Sequence, residues 1–349
     1  MYAVLVRHLF ALFFSFVFGL YLLPIVISAA QKIGFMDVPD GCLKSHKKPT
    51  PYLGGVAIFM AFIMTLGLCY PFENQILWFL LGTTLLLFVG LVDDLKVLKP
   101  YQKFFGQFVA ALCFLKGEFS LKTPLFSSMG SIGWSLFWML TVINAFNLVD
   151  VMDGLCATLA LVSAVTLCGI ALVLGKFTTS LLLTAFIGAT LAFWLYNKPP
   201  AKIYLGDAGS LFIGGFLAAI PLLFDWDGKL FLWQFDGWLA VIYQMVRPLF
   251  EVFFVPCLIF GVPLLECISL FVIRSWLGKP FYYGSPHHFS IYLQKKGWSA
   301  YQVLGFAVIV SLLLSGLAIL FLLRQISLTG LVLTSFFVIA SWIYTVFFS

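Results

Sequence analysis

Four polar side chains recur at three-residue intervals in the stretch NAFNLVDVMDGL, which runs from Asn144 to Leu155 and is otherwise mostly apolar. They are Asn144, Asn147, Asp150 and Asp153. On an α-helix each step of three residues turns about 300° and rises about 4.5 Å, so the side chains would form one slanted stripe. Carboxylate and amide oxygens suit Mg²⁺, and Asn amides also donate hydrogen bonds to uracil or sugar groups. A helix cap would explain Asp150 or Asp153 alone, but it does not explain the whole set.

Two adjacent carboxylates, Asp93 and Asp94, end the apolar run LLLFVGLV. A charged side chain at membrane depth costs about 2.5–3.5 kcal/mol on insertion scales, and neighbouring carboxylates also repel each other. The pair therefore needs a nearby cation. A solvated helix end is the simpler alternative, since Lys96, Lys99 and Lys103 follow in the same segment and can offset the charge.

Asp207 lies between Gly206 and Gly209 in YLGDAGSLFIGG, directly before another apolar run. Glycines allow a backbone to approach a diphosphate closely, and the N-terminus of the following helix favours anions. In this position Asp207 would be a metal ligand. The alternative is that Asp207 only caps the helix.

Histidine and lysine residues gather in two polar segments. His287 and His288 precede Lys295 and Lys296, and Lys47 follows a histidine in SHKKPTPYLGG. Such loops can bind the phosphates or the uracil of a nucleotide. An ordinary basic cytoplasmic loop is the competing interpretation of both segments.

These polar stretches interrupt a chain whose composition suits a bilayer. Of its 349 residues, 62% are hydrophobic, 10% are charged and 40 are Phe. We therefore predict an all-α polytopic membrane protein, one integral membrane domain over residues 1–349, with the first apolar run kept as a helix rather than cleaved as a signal peptide. The spans, about eleven in number, are predicted at 9–30, 52–70, 75–92, 104–116, 132–149, 154–174, 178–196, 209–224, 248–273, 302–323 and 328–348.

The distribution of positive charge predicts the orientation of the chain. Most of the 20 Lys and Arg residues lie in alternate gaps between the predicted spans. The positive-inside rule then places the N-terminus outside and the C-terminus in the cytoplasm, and it gathers nearly all of the polar stretches on the cytoplasmic face. Gly54 and Gly55 are expected to allow close helix contact. The seven Cys form no C-x-x-C pair and are expected to pack as small apolar residues.

Taken together, the motifs resemble those of the polyprenyl-phosphate N-acetylhexosamine-1-phosphate transferases, a glycosyltransferase family 4 group that includes phospho-N-acetylmuramoyl-pentapeptide transferase. The N-A-F-N form and the span count look more like the branch that transfers N-acetylglucosamine 1-phosphate to undecaprenyl phosphate. Five motifs occur in the order of the family, namely D-x-P…K-x-H-x-x-P-x-P-x-x-G-G at 37–55, D-D at 93–94, N-A-F-N-x-x-D-x-x-D-G at 144–154, G-D-x-G-S at 206–210 and a histidine loop that ends in G-W-S at 297–299.

This resemblance implies an enzyme that transfers a sugar 1-phosphate from a UDP-sugar to undecaprenyl phosphate, giving a lipid diphosphate sugar and UMP. That reaction would be the first membrane step of a cell-envelope polysaccharide, such as O-antigen or another lipopolysaccharide component. The implied cofactor is Mg²⁺, with Mn²⁺ as an alternative ion. The implied partners are both substrates and membrane lipids, with no nucleic acid, and a homodimer stays open. The implied location is the bacterial inner membrane, with the active site on the cytoplasmic face.

The resemblance also implies roles for individual residues. Asp93 or Asp94 would position or deprotonate the lipid phosphate, and Asp150 and Asp153 would hold uridine, sugar or metal-bound water. Direct attack by the lipid phosphate and a two-step route through an aspartyl intermediate both fit these residues. The expected catalytic residues are Asp93, Asp94, Asp150 and Asp153, the expected nucleotide-sugar contacts are Asn144, Asp153, His288 and Lys47, and the expected metal ligands are Asn147 and Asp207.

The sequence departs from the family pattern at three places. Val151 replaces a glycine in the D-G-x-D-G form, and Glu266 stands where an aspartate usually closes P-x-x-D. In the histidine loop, His288 fits the first histidine of the usual cluster, whereas Ser290 and Ile291 occupy the later positions. The alternatives are a phospho-N-acetylmuramoyl-pentapeptide transferase and, from other classes, a secondary transporter or a non-catalytic binder of lipid precursors.

Overall fold

The computed structural model describes residues 2–37, 49–121, 126–224, 250–280, 282, 285–323 and 325–348. Lys47, an expected nucleotide-sugar contact, lies outside these residues. Within them the chain is almost entirely helical. The helices are α1 (Tyr2–Ile33), α2 (Gly54–Cys69), α3 (Asn74–Leu95), α4 (Pro100–Lys116), α5 (Ser128–Val149), α6 (Leu155–Val173), α7 (Phe177–Asn197), α8 (Gly206–Ala219), α9 (Val255–Ile259), α10 (Gly261–Trp276), α11 (Phe289–Lys295), α12 (Ala300–Leu322) and α13 (Leu328–Ile343).

Every predicted span coincides with a helical segment, but not every segment is long and apolar enough to cross a bilayer. Among the described residues eight helical segments meet that condition. The count reaches nine if Glu251–Ile259, which contains α9, and α10 form one span broken by an 87° bend. Helix α2 has 16 residues and is about 24 Å long, which is short for a hydrocarbon core of about 30 Å. The chain is a multi-pass membrane protein, while eleven spans and the orientation remain predictions.

Helix α8 forms the centre of the described bundle. In the segment Gly206–Leu223, which contains α8, 89% of the residues are buried, and α8 packs against α2, α3 and α5. In the most apolar 18-residue stretches of α1 and of Leu328–Phe348, which contains α13, only 22% of the residues are buried. Large aromatic rings fill the space around α8, where Phe186 and Phe216 stack with ring centroids 4.2 Å apart. The polar residue at the N-terminus of α8 is therefore held by the most tightly enclosed helix.

Two close backbone contacts fix the position of that N-terminus. A Cβ atom added to Gly55 of α2 would lie 2.2 Å from the Cα of Gly209, and one added to Gly90 of α3 would lie 2.3 Å from the carbonyl carbon of Asp207. Side chains at either position would push the helices apart. The close helix contact expected at Gly55 is confirmed.

A short hairpin that the all-α prediction lacked joins α1 to α2. Strands β1 (Met36–Asp37) and β2 (Thr50–Pro51) pair antiparallel. Proline and the residue before it favour extended backbone, which explains strand geometry at Thr50–Pro51. The amide of Tyr204 donates to the carbonyl of Pro51 at 2.8 Å, so the hairpin is tied to the segment that leads into α8.

The predicted stripe of four polar residues does not lie on one continuous helix. Helix α5 ends at Val149, Asp150 caps it, and Gly154 at φ +76° starts α6. The expectation of an unbroken stripe is therefore corrected. Asn144 and Asn147 lie on α5, whereas Asp150 and Asp153 lie in the turn that follows.

Candidate active site

Four helix ends meet at one end of the bundle. They are the C-terminal ends of α3 and α5 and the N-terminal ends of α4 and α8. Three of these ends carry polar residues that were predicted from the sequence to belong to the site, and the end of α4 carries a lysine that contacts them. The meeting point gathers Asp93, Asp94, Lys103, Asn147 and Asp207.

Asp94 holds the first turn of α8. Its carboxylate accepts hydrogen bonds from the backbone amides of Asp207 at 2.8 Å and Ala208 at 3.0 Å. These amides have no partner inside the helix, and a negative charge at a helix N-terminus is stabilising. Asp94 thus acts as an N-cap supplied by another helix, a role that neither segment reveals alone.

Gly206 is required at this contact for two reasons. Its φ is +74°, and an added Cβ would lie 2.6 Å from Oδ2 of Asp94. We expect Gly206→Ala to lower the thermal unfolding temperature in detergent. The loss in unfolding free energy should exceed the roughly 1 kcal/mol that left-handed backbone strain alone costs.

Gly278→Ala is the matched control for that prediction. Gly278 has a similar φ of +66° but no atom within 4 Å of an added Cβ, so its substitution reports backbone strain alone. Equal losses of thermal stability in the two variants would show that the contact with Asp94 contributes nothing.

The ammonium group of Lys103 lies at the centre of the site. Its Nζ is 2.9 Å from Oδ2 of Asp93, 3.1 Å from Oδ2 of Asp207 and 3.1 Å from Oδ1 of Asn147. Asp93 is buried and Lys103 is 18% exposed, so these charges attract one another away from bulk water. Three oxygens from three helices therefore converge on one positive charge.

Hydrogen bonds fix the orientation of the Asn147 amide. Its Nδ2 donates to Oδ1 of Asp207 and, at 2.8 Å, to Oγ of Ser210. Since Nδ2 is engaged on that side, Oδ1 is the atom that points to Lys103. Asn147 presents an oxygen to the cation, as expected of a residue proposed to ligate a metal.

Asn144 contacts protein groups one turn below. Its amide exchanges two hydrogen bonds with the amide of Gln107, at 2.8 and 3.2 Å, and donates to the carbonyl of Leu140 at 2.7 Å. Together with Lys103–Asn147 this pair forms two successive links between α4 and α5. The arrangement favours a structural role for Asn144 over the nucleotide-sugar contact that the sequence suggested.

The turn after α5 places two further carboxylates beside the cluster. Asp153 accepts a hydrogen bond from the amide of Ala201 at 2.9 Å. No hydrogen bond or ion pair engages the Asp150 carboxylate within the described part of the chain. Burial, followed by the charges of Asp207, Asp94 and Asp153, raises the pKa of Asp150 well above its usual range.

His288 lies in a separate group of contacts. Its Nδ1 is 2.8 Å from Oε1 of Glu266, whose carboxylate also accepts the amide of Phe289. Glu266 is fully buried in α10, where an unpaired carboxylate would be costly. The glutamate in place of the usual aspartate therefore anchors the histidine at the start of α11.

Helix α11 also contacts the turn of residues 150–153, the acidic turn. Nε2 of Gln294 lies 2.9 Å from Sδ of Met152, which stands between Asp150 and Asp153 in this turn. Burial, followed by Lys279 and other nearby cations, lowers the pKa of His287. The histidine loop is thus a basic region next to the turn, as an anionic ligand requires.

The donor set fits Mg²⁺ only if substrate oxygens complete it. Within the described ranges no group of three His, Cys, Asp or Glu side chains is arranged to hold a metal ion. Mg²⁺ usually binds one or two carboxylates together with water and substrate phosphates. Two carboxylates and one amide oxygen that already converge on a cation match this pattern.

Sequence reasoning missed several contributors to the site. Gln107 lies one helical turn after Lys103 on α4, a spacing that places both on one face. Ser210 closes the G-D-x-G-S motif. Glu266 was noted as a departure from the family pattern, but its contact with His288 was not predicted. These signals were visible, but the partner of each residue lies on a distant helix.

Comparison with known proteins bears on the same residues. A model of glycosyl transferase family 4 matches residues 76–225, which include Asp93, Asp94, the acidic turn and Asp207. A probable undecaprenyl-phosphate N-acetylglucosaminyl 1-phosphate transferase of Bacillus subtilis is 31% identical, over 79% of this chain and 74% of the relative.

Two further relatives are phospho-N-acetylmuramoyl-pentapeptide-transferases. The protein from Listeria innocua is 34% identical over 60% of this chain and 72% of its own length. The protein from Limosilactobacillus fermentum is 28% identical over 87% of this chain and 94% of its own length. The five motifs, the bundle of apolar helices and these similarities agree, and the chain belongs to glycosyl transferase family 4.

Proposed function

We propose that this protein transfers N-acetylhexosamine 1-phosphate from a UDP-sugar to undecaprenyl phosphate, releasing UMP. An oxygen of the lipid phosphate attacks the phosphorus next to the sugar. The bond from that phosphorus to the bridging oxygen breaks, and UMP leaves with the bridging oxygen. Relatives named for the transfer of N-acetylglucosaminyl 1-phosphate or phospho-N-acetylmuramoyl-pentapeptide support this reaction class.

One observation carries the proposal. Oxygens of Asp93, Asp207 and Asn147 converge on a single positive charge beside the N-terminus of α8. Phosphoryl transfer depends on positioning and on charge neutralisation, and this geometry offers both. These three residues would hold Mg²⁺, which when bound supplies neutralisation of the diphosphate charge.

Asp150 is our candidate for the group that handles the lipid phosphate. Its carboxylate is the least engaged of the predicted set, and burial followed by the neighbouring carboxylates raises its pKa. A raised pKa brings a carboxyl group closer to the second pKa of a phosphate monoester, which is near 6, and so favours proton exchange between the two groups. Asp94 is less suited, because both of its oxygens accept backbone amides.

The proposed site belongs on the cytoplasmic face of the bacterial inner membrane. A UDP-sugar is water-soluble and undecaprenyl phosphate is a lipid, so their reaction needs a membrane surface. The positive-inside rule supports an outer N-terminus and a cytoplasmic C-terminus. The apolar runs in the sequence support an arrangement with about eleven spans.

A panel of donors tests the reaction and the identity of the sugar. Purified protein is incubated with undecaprenyl phosphate, Mg²⁺ and UDP-N-acetylglucosamine, UDP-N-acetylgalactosamine or UDP-N-acetylmuramoyl-pentapeptide. We expect UMP release with an N-acetylhexosamine donor. Release with the pentapeptide donor alone would instead indicate a phospho-N-acetylmuramoyl-pentapeptide transferase. The 34% identity to the Listeria innocua relative supports this second candidate function. Absence of UMP with all donors would favour a non-catalytic binder.

His288 is expected to act on the donor through its link to Glu266. We predict that His288→Ala raises KM for the UDP-sugar about 10-fold or more, because the variant lacks the imidazole that would contact the diphosphate. Glu266→Gln should also raise KM, and Glu266→Asp should restore part of the loss. Steady-state kinetics of the single and double variants measure these effects.

The double variant separates positioning from a general structural role. If Glu266 acts through His288, Glu266→Gln causes no further rise in KM once His288 is Ala. Additive losses would instead show that Glu266 supports the fold independently of the histidine.

A further inference from the structure

Lys103 occupies the place that the proposed function gives to a divalent ion. Its ammonium is within 3.1 Å of oxygens from Asp93, Asp207 and Asn147, and these are the oxygens best suited to Mg²⁺. In the sequence, this lysine is one of three positive charges that can offset Asp93 and Asp94. The structure singles it out, since Lys96 and Lys99 are exposed.

The ammonium and a metal ion cannot use these oxygens together. Mg²⁺ binds oxygen at about 2.0–2.1 Å, so it would need the space in which the ammonium now lies. Two cations this close would also repel strongly in a partly buried site. Occupation of the site by one cation therefore requires the other to leave.

We infer that Lys103 is an internal counterion, which fills the cation position in the metal-free protein and is displaced when a divalent ion binds. The inference rests on the proposed metal site and deepens it. Lys103 lies in the first turn of α4, on a flexible four-carbon stem, and is 18% exposed. A change of side-chain rotamer moves the ammonium away from the three oxygens of Asp93, Asp207 and Asn147. In its new position the ammonium can contact the phosphates of the substrates.

This exchange has a consequence that a purely supporting lysine would not have. The metal-free site keeps its carboxylates neutralised, so the helix ends stay together before substrates arrive. The cost is competition, because each divalent ion must displace the ammonium first. Substitution of Lys103 should therefore raise the affinity for the metal ion and lower the thermal stability of the metal-free protein.

Metal binding without substrates tests the inference. Mn²⁺ is titrated into purified protein in detergent, and the free ion is measured by electron paramagnetic resonance. We expect the Kd for Mn²⁺ to fall about 10-fold or more in Lys103→Met, because a competing charge is removed from the ion's position. Mg²⁺ should likewise raise the unfolding temperature of Lys103→Met more than that of the wild type.

Lys96→Met is the matched control, since it removes the same charge from an exposed side chain near Asp94. Its Kd should stay within about twofold of the wild-type value, as expected for a screened surface charge. Lys103→Gln serves as a second variant because it is neutral but keeps hydrogen-bond donors that help the site to fold. It should also bind Mn²⁺ more tightly.

An unchanged or higher Kd in both Lys103 variants would overturn the inference, as would equal tightening in Lys96→Met. The proposed function is judged separately by UMP release. If wild-type protein releases UMP and binds Mn²⁺ but Lys103 has no effect on Kd, only the displacement fails. If wild-type protein binds no divalent ion and releases no UMP, both proposals fail.

Discussion

Asp207→Asn is expected to lower UMP release by about 1,000-fold or more, the largest effect of any single substitution considered. Asp207 connects three elements of the site. One oxygen faces the cation position occupied by Lys103, the other accepts from Asn147, and its backbone amide donates to Asp94. An amide in its place removes one negative charge from the proposed metal site and presents a donor to Lys103, so charge neutralisation on the diphosphate is lost.

Glu73→Gln provides the control for this substitution. It makes the same change from carboxylate to amide before the opposite end of α3, twenty residues or about 30 Å from Asp93. We expect near wild-type UMP release and near wild-type thermal stability from Glu73→Gln. Activity of Asp207→Asn within 10-fold of the wild type would remove Asp207 from the metal site.

Asp150→Asn is expected to lower UMP release by about 100-fold or more while making the metal-free protein more stable at pH 8. Burial and neighbouring carboxylates raise the pKa of Asp150 in the folded protein. The stability that it contributes is therefore present below the unfolded pKa of about 3.9 and is lost as pH rises through the raised folded value. Asn carries no charge, so the variant avoids this loss.

Thermal unfolding at two pH values measures the effect. In a chelator, Asp150→Asn should unfold at a higher temperature than the wild type at pH 8, and the difference should shrink towards pH 5. Added Mg²⁺ should stabilise the wild type more than the variant, because the cation offsets the charge of Asp150. A variant that is less stable than the wild type at pH 8 would mean that the Asp150 carboxylate is not under electrostatic strain.

Much of the bundle could be predicted because its signal is local. Apolar runs of about 20 residues define membrane helices wherever they occur, and each predicted span coincides with a helical segment. The short hairpin at β1 and β2 was missed, since two-residue strands carry no periodic pattern. Helices α2 and α4, with 16 and 17 residues, are too short, and the bend before α10 breaks a third predicted span. Fewer described helices than predicted spans can therefore cross a bilayer.

The residues of the site were largely identified from sequence, whereas their partners were not. Asp93, Asp94, Asn147 and Asp207 were selected for their residue types and spacing, and they lie together. That Asp94 caps α8 depends on the meeting of two helices more than 100 residues apart in sequence. The position of Lys103 among three oxygens likewise depends on packing that no spacing rule encodes. Pairing of Asn144 with Gln107 has the same origin.

The fate of one phosphorus atom tests the account most directly. UDP-N-acetylglucosamine labelled with ³²P on the phosphate next to the sugar is incubated with the protein, undecaprenyl phosphate and Mg²⁺, and lipid and nucleotide products are separated. Transfer of sugar 1-phosphate predicts that the label enters the lipid fraction in step with the release of unlabelled UMP. Label that leaves as UDP, with the sugar alone on the lipid, would contradict the proposed reaction.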